Sequence, residues 1–273
     1  MITYKSPAEV AKMRLAGLVV ARTLDRLREA VAPGVTTADL DVIAERTIRE
    51  QGGTPSFLGY RGYPASICAS VNEEIVHGIP RPTKKLKRGD IISIDCGAIL
   101  DGWHGDSAIT VPVGGPAAVA PEVLRMLEVC EDSMWAAFAA AKPGGRIRDL
   151  GTAVEKVVVP HGFGIVDGYG GHGIGTEMHQ DPHVLNHSHG PRGPKLAVGL
   201  ALAIEPMITM GDPDTRELED HWTVVTRDGS WASHFEHSFV LTERGPFVLT
   251  AHDGGRERLG RLGVEVVDLP RAA

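Results

Sequence analysis

Asp95, Asp106, His172, Glu205 and Glu236 are the side chains in this sequence whose types and settings point most directly to chemistry. Asp95 and Asp106 lie in SIDCGAILDGWHGD, His172 in GGHGIG, Glu205 in LALAIEPM and Glu236 in SHFEHSFVLT. Each stretch is apolar or rich in glycine, and few lysines or arginines lie in the carboxylate-bearing strands to neutralise them. A carboxylate buried without a partner is so unfavourable that it either takes up a proton or finds a cation. Four of them in such settings ask for a cation, and for two rather than one. Oxygen-rich sites with one imidazole suit divalent manganese, iron, cobalt and zinc. Two such ions about 3.5–4 Å apart, bridged by carboxylates, can share a hydroxide and polarise a carbonyl.

The elements that must position these residues can be read from pattern. Ser6-Pro7 reads as a helix cap followed by proline at the first helical position, and helical spacing then runs to Ala32, where Pro33-Gly34 stops it. Thr36 and Thr37 can cap a second helix through Arg49, ending at Gly52-Gly53. Ile67–Val71 and Ile75–Ile79 read as extended. Asp90–Asp95 and Ser107–Val113 are rich in β-branched residues, and with DGWHG between them they predict a hairpin. Helical pattern returns at Pro121–Ala141 and Ile147–Val159.

The chain repeats itself. One constant shift lays Pro33-Gly34 on Pro143-Gly144, Asp39-Leu40 on Asp149-Leu150, and GDIISID on GLALAIE, so that Asp95 falls on Glu205. A somewhat longer shift lays GDSAITV on FEHSFVL, so that Asp106 falls on Glu236, and the difference reads as an insertion in the hairpin of the second half. Each half thus reads as two helices followed by a strand pair bearing two carboxylates. Strand alternation puts Asp95 on the face of Ser93, away from Ile92 and Ile94, and Glu205 on the face of Ala201 and Ala203. Two sheets related by a pseudo-twofold would bring the four carboxylates together at their interface, a favoured place for a site.

His172 has glycines on both sides, which let backbone come close to a ligand. Gly168, Gly170 and Gly173 formally spell GxGxxG, but no β-branched strand runs into them and no amphipathic helix follows, which argues against dinucleotide binding. His77 in EEIVHGIP and His179 in MHQDP could each hydrogen-bond a peptide carbonyl or a developing oxyanion. Position alone leaves both between that role and ordinary packing. The remaining nine of the 12 histidines carry no such context and read as structural.

Composition bounds the alternatives. The chain has 273 residues, 42% of them hydrophobic, and a net charge of −7 from 28 basic and 35 acidic residues. That balance argues against a nucleic-acid partner. The one basic run, RPTKKLKRG from Arg81 to Gly89, reads as a solvated loop. Cys68, Cys96 and Cys130 are odd in number and lack CxxC spacing, so neither a disulfide framework nor a zinc-thiolate site is expected. The N-terminus has no apolar signal region and no long apolar run follows, which predicts a soluble, cytoplasmic protein without a membrane partner.

With these residues assembled, the sequence resembles the type I methionine aminopeptidases of the minimal bacterial kind over roughly residues 3 to 250. The likeness rests on GYPASICASVNEEIVHGIP, SIDCGAILDGWHGDSA, GGHGIGTEMHQDPHVLN, AIEPM and HFEHSFVLT, in that order along the chain. It implies the α+β pita-bread fold, with two pseudo-twofold-related halves and an antiparallel sheet covered by helices. It implies one catalytic domain over residues 1–273, with halves of about 1–115 and 116–250 and a tail of about 251–273. It further implies two divalent ions (cobalt, manganese, iron or zinc), one chelated by Asp95, the other held by His172 and Glu205, and both bridged by Asp106 and Glu236. Glu205 would also shuttle a proton, His179 would stabilise the tetrahedral intermediate, and His77 would contact the scissile amide. A methionine pocket would draw on Tyr60, Tyr63, Cys68, Met178 and Trp222, soft and partly aromatic groups suited to a thioether. The implied substrates are peptides and nascent chains with N-terminal methionine and a small second residue. The implied setting is a monomer in the cytoplasm, with the ribosome as a docking partner.

Met178 stands where many relatives carry an aromatic residue, and Phe57 where some carry a small thiol, so both reshape the pocket. The resemblance to the minimal bacterial kind implies no zinc-finger or proline-rich extension before the catalytic part, and Gly193–Glu236 is too short for the helical insertion of type II enzymes. The tail after His252 has no counterpart and reads either as a short strand or as a mobile end. Other readings fit less well. Prolidase and aminopeptidase P share the fold and the five ligands but carry a large N-terminal domain. A catalytically silent pita-bread binding protein would lose ligands. A di-iron oxidase needs paired Glu-x-x-His motifs on helices, and only Glu74 to His77 has that spacing.

Overall fold

Helix α1 (Pro7–Ala30) starts where the sequence predicts. The Ser6 N–H donates to the Glu9 carboxylate at 2.7 Å and the Glu9 N–H returns to the Ser6 hydroxyl, closing a capping box. Its buried face, Val10, Met13, Gly17, Val20, Leu24 and Leu27, recurs every three or four residues. Helix α2 (Thr37–Glu50) has the same kind of cap, with Thr36 and Asp39 exchanging hydrogen bonds. The computed structural model describes residues 1–269.

After α2 come β1 (Thr54–Pro55), β2 (Ile67–Val71), β3 (Glu74–Val76) and the hairpin of β4 (Ile91–Leu100) and β5 (Trp103–Pro112). The hairpin is longer than the sequence pattern suggests. Only Asp101 and Gly102, at φ 49° and 79°, make its turn, and Trp103 to Gly105 already belong to the returning strand. The extended run expected to reach Ile79 stops at Val76. His77 turns into the left-handed region at φ 59°, and Gly78 lies so close to the Ala69 carbonyl that a Cβ would sit 2.6 Å from it.

The second half repeats this order with α3 (Pro121–Ala140), α4 (Ile147–Val158), β6 (Gly164–Ile165), β7 (Gly171–Gly173), β8 (Gln180–Val184) and β9 (Ala201–Ile204). There follow β10 (Met207–Thr209), β11 (Thr215–Glu217), β12 (Val224–Thr226), β13 (Ala232–His234), β14 (Glu236–Thr242) and β15 (Gly245–Val248). Within the tail, expected as a strand or a mobile end, residues Arg256–Arg261 instead form helix α5, with Leu259 buried against the core and Arg258 paired with Asp132 on α3 at 2.7 Å; the expectation for residues 270–273 lies outside the described residues.

The main sheet has nine strands in the order β1-β4-β5-β14-β9-β7-β8, with β2 added on β4 and β15 on β14. This corrects the picture of two sheets meeting at an interface. Strand β5 pairs directly with β14, Ser107 opposite His237 and Ala108 opposite Glu236, so the halves share one continuous antiparallel sheet. Helix α1 packs on β4 and β5, and α3 on β9 and β14. Ile92, Ile94 and Cys96 enter the core beneath those helices, which leaves Ser93 and Asp95 on the opposite face. Two small three-stranded sheets, β11-β12-β3 and β13-β10-β6, flank that face. The Arg81–Gly89 run is loop, as expected, although Lys84 is ion-paired with Glu74.

Candidate metal and catalytic site

Asp95, Asp106, His172, Glu205 and Glu236 all line one cleft of about 1010 Å³ on the helix-free face of the sheet. Strand β4 delivers Asp95, β5 Asp106, β7 His172 and β14 Glu236, while Glu205 follows directly on β9. The His172 Nδ1–H donates to the Gly173 carbonyl at 2.9 Å. That bond fixes the tautomer and turns the Nε2 lone pair into the cleft, 3.7 Å from Glu205 and 3.9 Å from Asp106. Asp106, His172 and Glu236 can offer ligand atoms within 4.8 Å of one another, and so can Glu205, His234 and Glu236. Glu236 belongs to both groups.

The electrostatics show what the cluster lacks. Burial pushes the Asp95 carboxyl up to about 7 and that of Glu205 to about 8. Asp106 and Glu236 rise well above the ordinary range, by burial first and by the facing carboxylates second. Burial lowers His172 to about 3, so its imidazole stays neutral, as a ligand must be. One oxygen each of Asp95, Asp106 and Glu236 is buried with no hydrogen-bond partner, as is Nε2 of His234. Buried polar atoms are nearly always paired. A divalent cation supplies what these atoms lack, and the donor set of carboxylates and imidazole fits one.

Beside the carboxylates lies an apolar pocket. Phe57, Tyr63, Ala65, Cys68 and Met178 are buried together, with Tyr60, Ile79 and Trp222 packed against them. Its place is set by strand register: Cys68 on β2 stands directly opposite Asp95 on β4, so the pocket wall and the carboxylate share a face. The Tyr63 hydroxyl donates to the Ile67 carbonyl at 3.0 Å or that of Gly78 at 3.1 Å, and its ring meets Trp222 edge-on at 5.0 Å. Asp220 accepts from the Trp222 and Thr223 N–H groups and pairs with Arg81 at 2.7 Å, which anchors the turn that carries Trp222.

His179 and His77 both line the cleft, His179 next to Tyr60 and His77 next to Trp222. The His179 Nδ1 lies 2.9 Å from the Tyr60 hydroxyl, and its ring meets that of His172 at 4.3 Å. Burial lowers both histidines, His77 to about 4. Every residue expected at the site therefore lines this cleft. Sequence reasoning missed His234, Ala65, Ile79 and Tyr169, and it treated Phe57 only as a departure. The signal for His234 was present: it stands two residues before Glu236, so extended backbone puts both on one face.

The model of metallopeptidase family M24 matches residues 11–243. The chain belongs to that family. Among its relatives is methionine aminopeptidase 1 of Mycobacterium tuberculosis, 50% identical over 256 residues that cover 92% of this chain and 95% of that protein. Methionine aminopeptidase of Escherichia coli is 39% identical over 250 residues, covering 91% and 94%. The solved methionine aminopeptidase of Thermotoga maritima superposes with a TM-score of 0.89 at 39% identity and covers 92% of this chain and all of that one. Prolidase from Pyrococcus furiosus shares the fold, with a TM-score of 0.73 at 20% identity, and this chain spans 65% of its length. These neighbours establish the pita-bread fold for this member of the family. Among the described residues no helix is long and apolar enough to cross a membrane.

Proposed function

We propose that this member of family M24 removes N-terminal methionine from polypeptides by metal-dependent hydrolysis. The observation that carries the reading is the ladder pair Cys68–Asp95, which sets an apolar pocket directly beside the buried carboxylates. A side chain seated in that pocket leaves its own carbonyl at the cluster. The names of the relatives support methionine as that side chain.

In this reading Asp95, Asp106, His172, Glu205 and Glu236 would hold two divalent ions of cobalt, manganese, iron or zinc, with Asp106 and Glu236 serving as the ligands common to both. Such ions, when bound, lower the pKa of water and polarise the scissile carbonyl. The Glu205 carboxylate, placed at the cleft wall, accepts the proton that water loses and returns it to the leaving amine. Tyr60 Oη lies 2.9 Å from His179 Nδ1; with the hydroxyl as donor, His179 would keep its proton on Nε2, where it would stabilise the carbonyl oxygen as it gains charge. His77 faces Trp222 and Tyr169 at 6.3 Å and 6.0 Å and holds the amide region of the substrate. Met178 and Phe57 shape the pocket floor, and a small second residue fits the crowded mouth. Substrates are peptides and nascent chains, and the protein works as a cytoplasmic monomer that can dock at the ribosome.

The test is release of free methionine from Met-Ala-Ser and Met-Lys-Ser by metal-stripped protein, before and after addition of cobalt or manganese. Metal-dependent cleavage of the first peptide alone is the expected result. Cleavage with neither ion, under conditions where the ions bind, would overturn the reading.

A further inference from the structure

Lys5 carries a buried ammonium that the chemistry at the carboxylates does not use. It is 9% exposed, and burial pulls it down to about 8. Its Nζ donates to the Thr3 hydroxyl at 2.7 Å, to the Gln180 side-chain oxygen at 3.0 Å and to the Thr3 carbonyl at 3.4 Å. All three acceptors are neutral. A buried ammonium held by neutral oxygens is costly, since such a charge normally sits beside a carboxylate. The Thr3 hydroxyl donates to the same Gln180 oxygen at 3.2 Å, so the three side chains close on one another. The Lys5 backbone is fixed as well. Its N–H donates to the Gly199 carbonyl at 2.7 Å, and Tyr4 bridges to Leu200 just ahead of β9.

The ammonium sits at the neck of a loop. Residues 174–179 leave β7 and return into β8, and Thr176, Glu177, Met178 and His179 line the cleft. Gln180 opens β8, paired with Gly173. Gly175 stands across the neck, where a Cβ would lie 2.9 Å from Lys5 Cε and 2.9 Å from the Gln180 oxygen. The lysine stem therefore packs against one end of the loop while its ammonium bonds the other. We propose that Lys5 is a positioning residue for His179 and acts through Gln180, the next residue along the chain. Tyr60 holds the His179 ring from the opposite direction, through Nδ1 at 2.9 Å. Without the ammonium the Gln180 oxygen keeps only the Thr3 hydroxyl, and the ring loses one of its two fixed references. Lys5 affects turnover only if His179 has the oxyanion role proposed above.

The test joins side-chain NMR of His179 to kinetics on the full chain, for Lys5→Met, Gln180→Leu and Gln180→Glu. In the zinc-loaded wild type the ring is expected in one tautomer, protonated on Nε2. Lys5→Met and Gln180→Leu should average that signal over both tautomers, whereas Gln180→Glu keeps an oxygen for the ammonium and should leave it sharp. Gln180 is only half-buried, so its variants fold even if Lys5→Met does not. On Met-Ala-Ser, Lys5→Met and Gln180→Leu should each lower kcat about 10-fold and change KM by less than about twofold. Neither should lower kcat further in a His179→Ala background. An unchanged His179 signal in both variants, or the same loss of kcat with and without His179, would overturn the tether. The spectrum needs no substrate, so a wild type that releases no methionine would overturn the proposed function and leave the signal to decide the tether.

Discussion

The two halves of the chain stand on the same backbone hydrogen bonds and carry different side chains. The Gly34 N–H donates to the Leu86 carbonyl at 2.8 Å, and at the repeat-related position the Gly144 N–H donates to Leu196 at 2.8 Å. The return bonds, Leu86 to Val35 and Leu196 to Gly145, recur at the same spacing, as do the bridges Thr36–Lys85 and Arg146–Lys195. On this shared frame the first half places two aspartates and most of the apolar pocket. The second half places two glutamates and the site histidines His172, His179 and His234, with His77 coming from the first. The longer glutamates go with a different register: Asp106 stands opposite Gly97, whereas His237 stands opposite Ile204, so the two carboxylate pairs are not superposable along their strands. The halves are thus equivalent as scaffold and inequivalent as chemistry, and the site needs both.

The largest effect is expected where the halves meet. If Asp106 from the first half and Glu236 from the second both bridge the ions, Asp106→Ala and Glu236→Ala should be equally damaging. Each should lower kcat/KM by about 1000-fold or more, or ~4 kcal/mol of transition-state stabilisation. A peptide-release assay on both variants settles this, and near-normal turnover in either one would remove that residue from the bridge.

Stability against pH probes the same meeting point without substrate. The carboxyl groups of Asp95 and Glu205 are raised above their unfolded values, to about 7 and about 8. Their neutral forms therefore stabilise the metal-free fold fully below the unfolded pKa of about 4, and that stabilisation is lost as pH rises through the folded values. Thermal unfolding of metal-stripped protein should give a lower midpoint at about pH 8.5 than at about pH 5.5, and added manganese should close the gap by binding the ionised groups. A metal-free midpoint that rises with pH would contradict the account of the cluster.

A position related by the repeat separates scaffold from chemistry. In the first half Asp41 accepts the Ser66 and Ile67 N–H groups at 2.8 and 3.0 Å and so anchors the start of β2. The matching residue in the second half is Gly151, where a Cβ would come within 2.3 Å of the Leu185 carbonyl. Both devices hold a strand-bearing segment to a helix, one by hydrogen bonds and the other by close approach. Asp41→Ala should cost about 2 kcal/mol by stranding buried donors. Gly151→Ala should cost about 1–3 kcal/mol by forcing backbone apart. Denaturant titration measures both, and an unchanged midpoint in either variant would refute that device.

The smallest effect lies at the helix caps. The Thr36 hydroxyl accepts the Asp39 N–H at 3.1 Å, while at Arg146 only the backbone N–H to Asp149 bond survives, at 2.7 Å. Thr36→Ala should cost about 1 kcal/mol and Arg146→Ala much less. Equal losses would show that the hydroxyl contributes nothing to the first cap.

Much of this is readable in the sequence because it is written in local pattern. The four long helices, the hairpin and the repeat follow from caps, periodicity and identities that recur at one constant spacing. The five candidate ligands are readable because charge in an apolar strand is costly. The pairing of β5 with β14 is not, since nothing local in Ser107 or His237 says which strand end lies opposite. The tail misleads because GVEVV suggests a strand, whereas the residues before it close a short helix over Trp135 and α3. His234 escapes notice because a lone histidine is usually packing, and only the spacing to Glu236 distinguishes it.

The central claim is that one metal centre is assembled from both halves through Asp106 and Glu236. Anomalous diffraction from crystals of the manganese-loaded protein tests it most directly. The account predicts two ions in the cleft, with Asp106 and Glu236 touching both. Ions held by the carboxylates of one half alone, or a single ion away from Glu236, would contradict it.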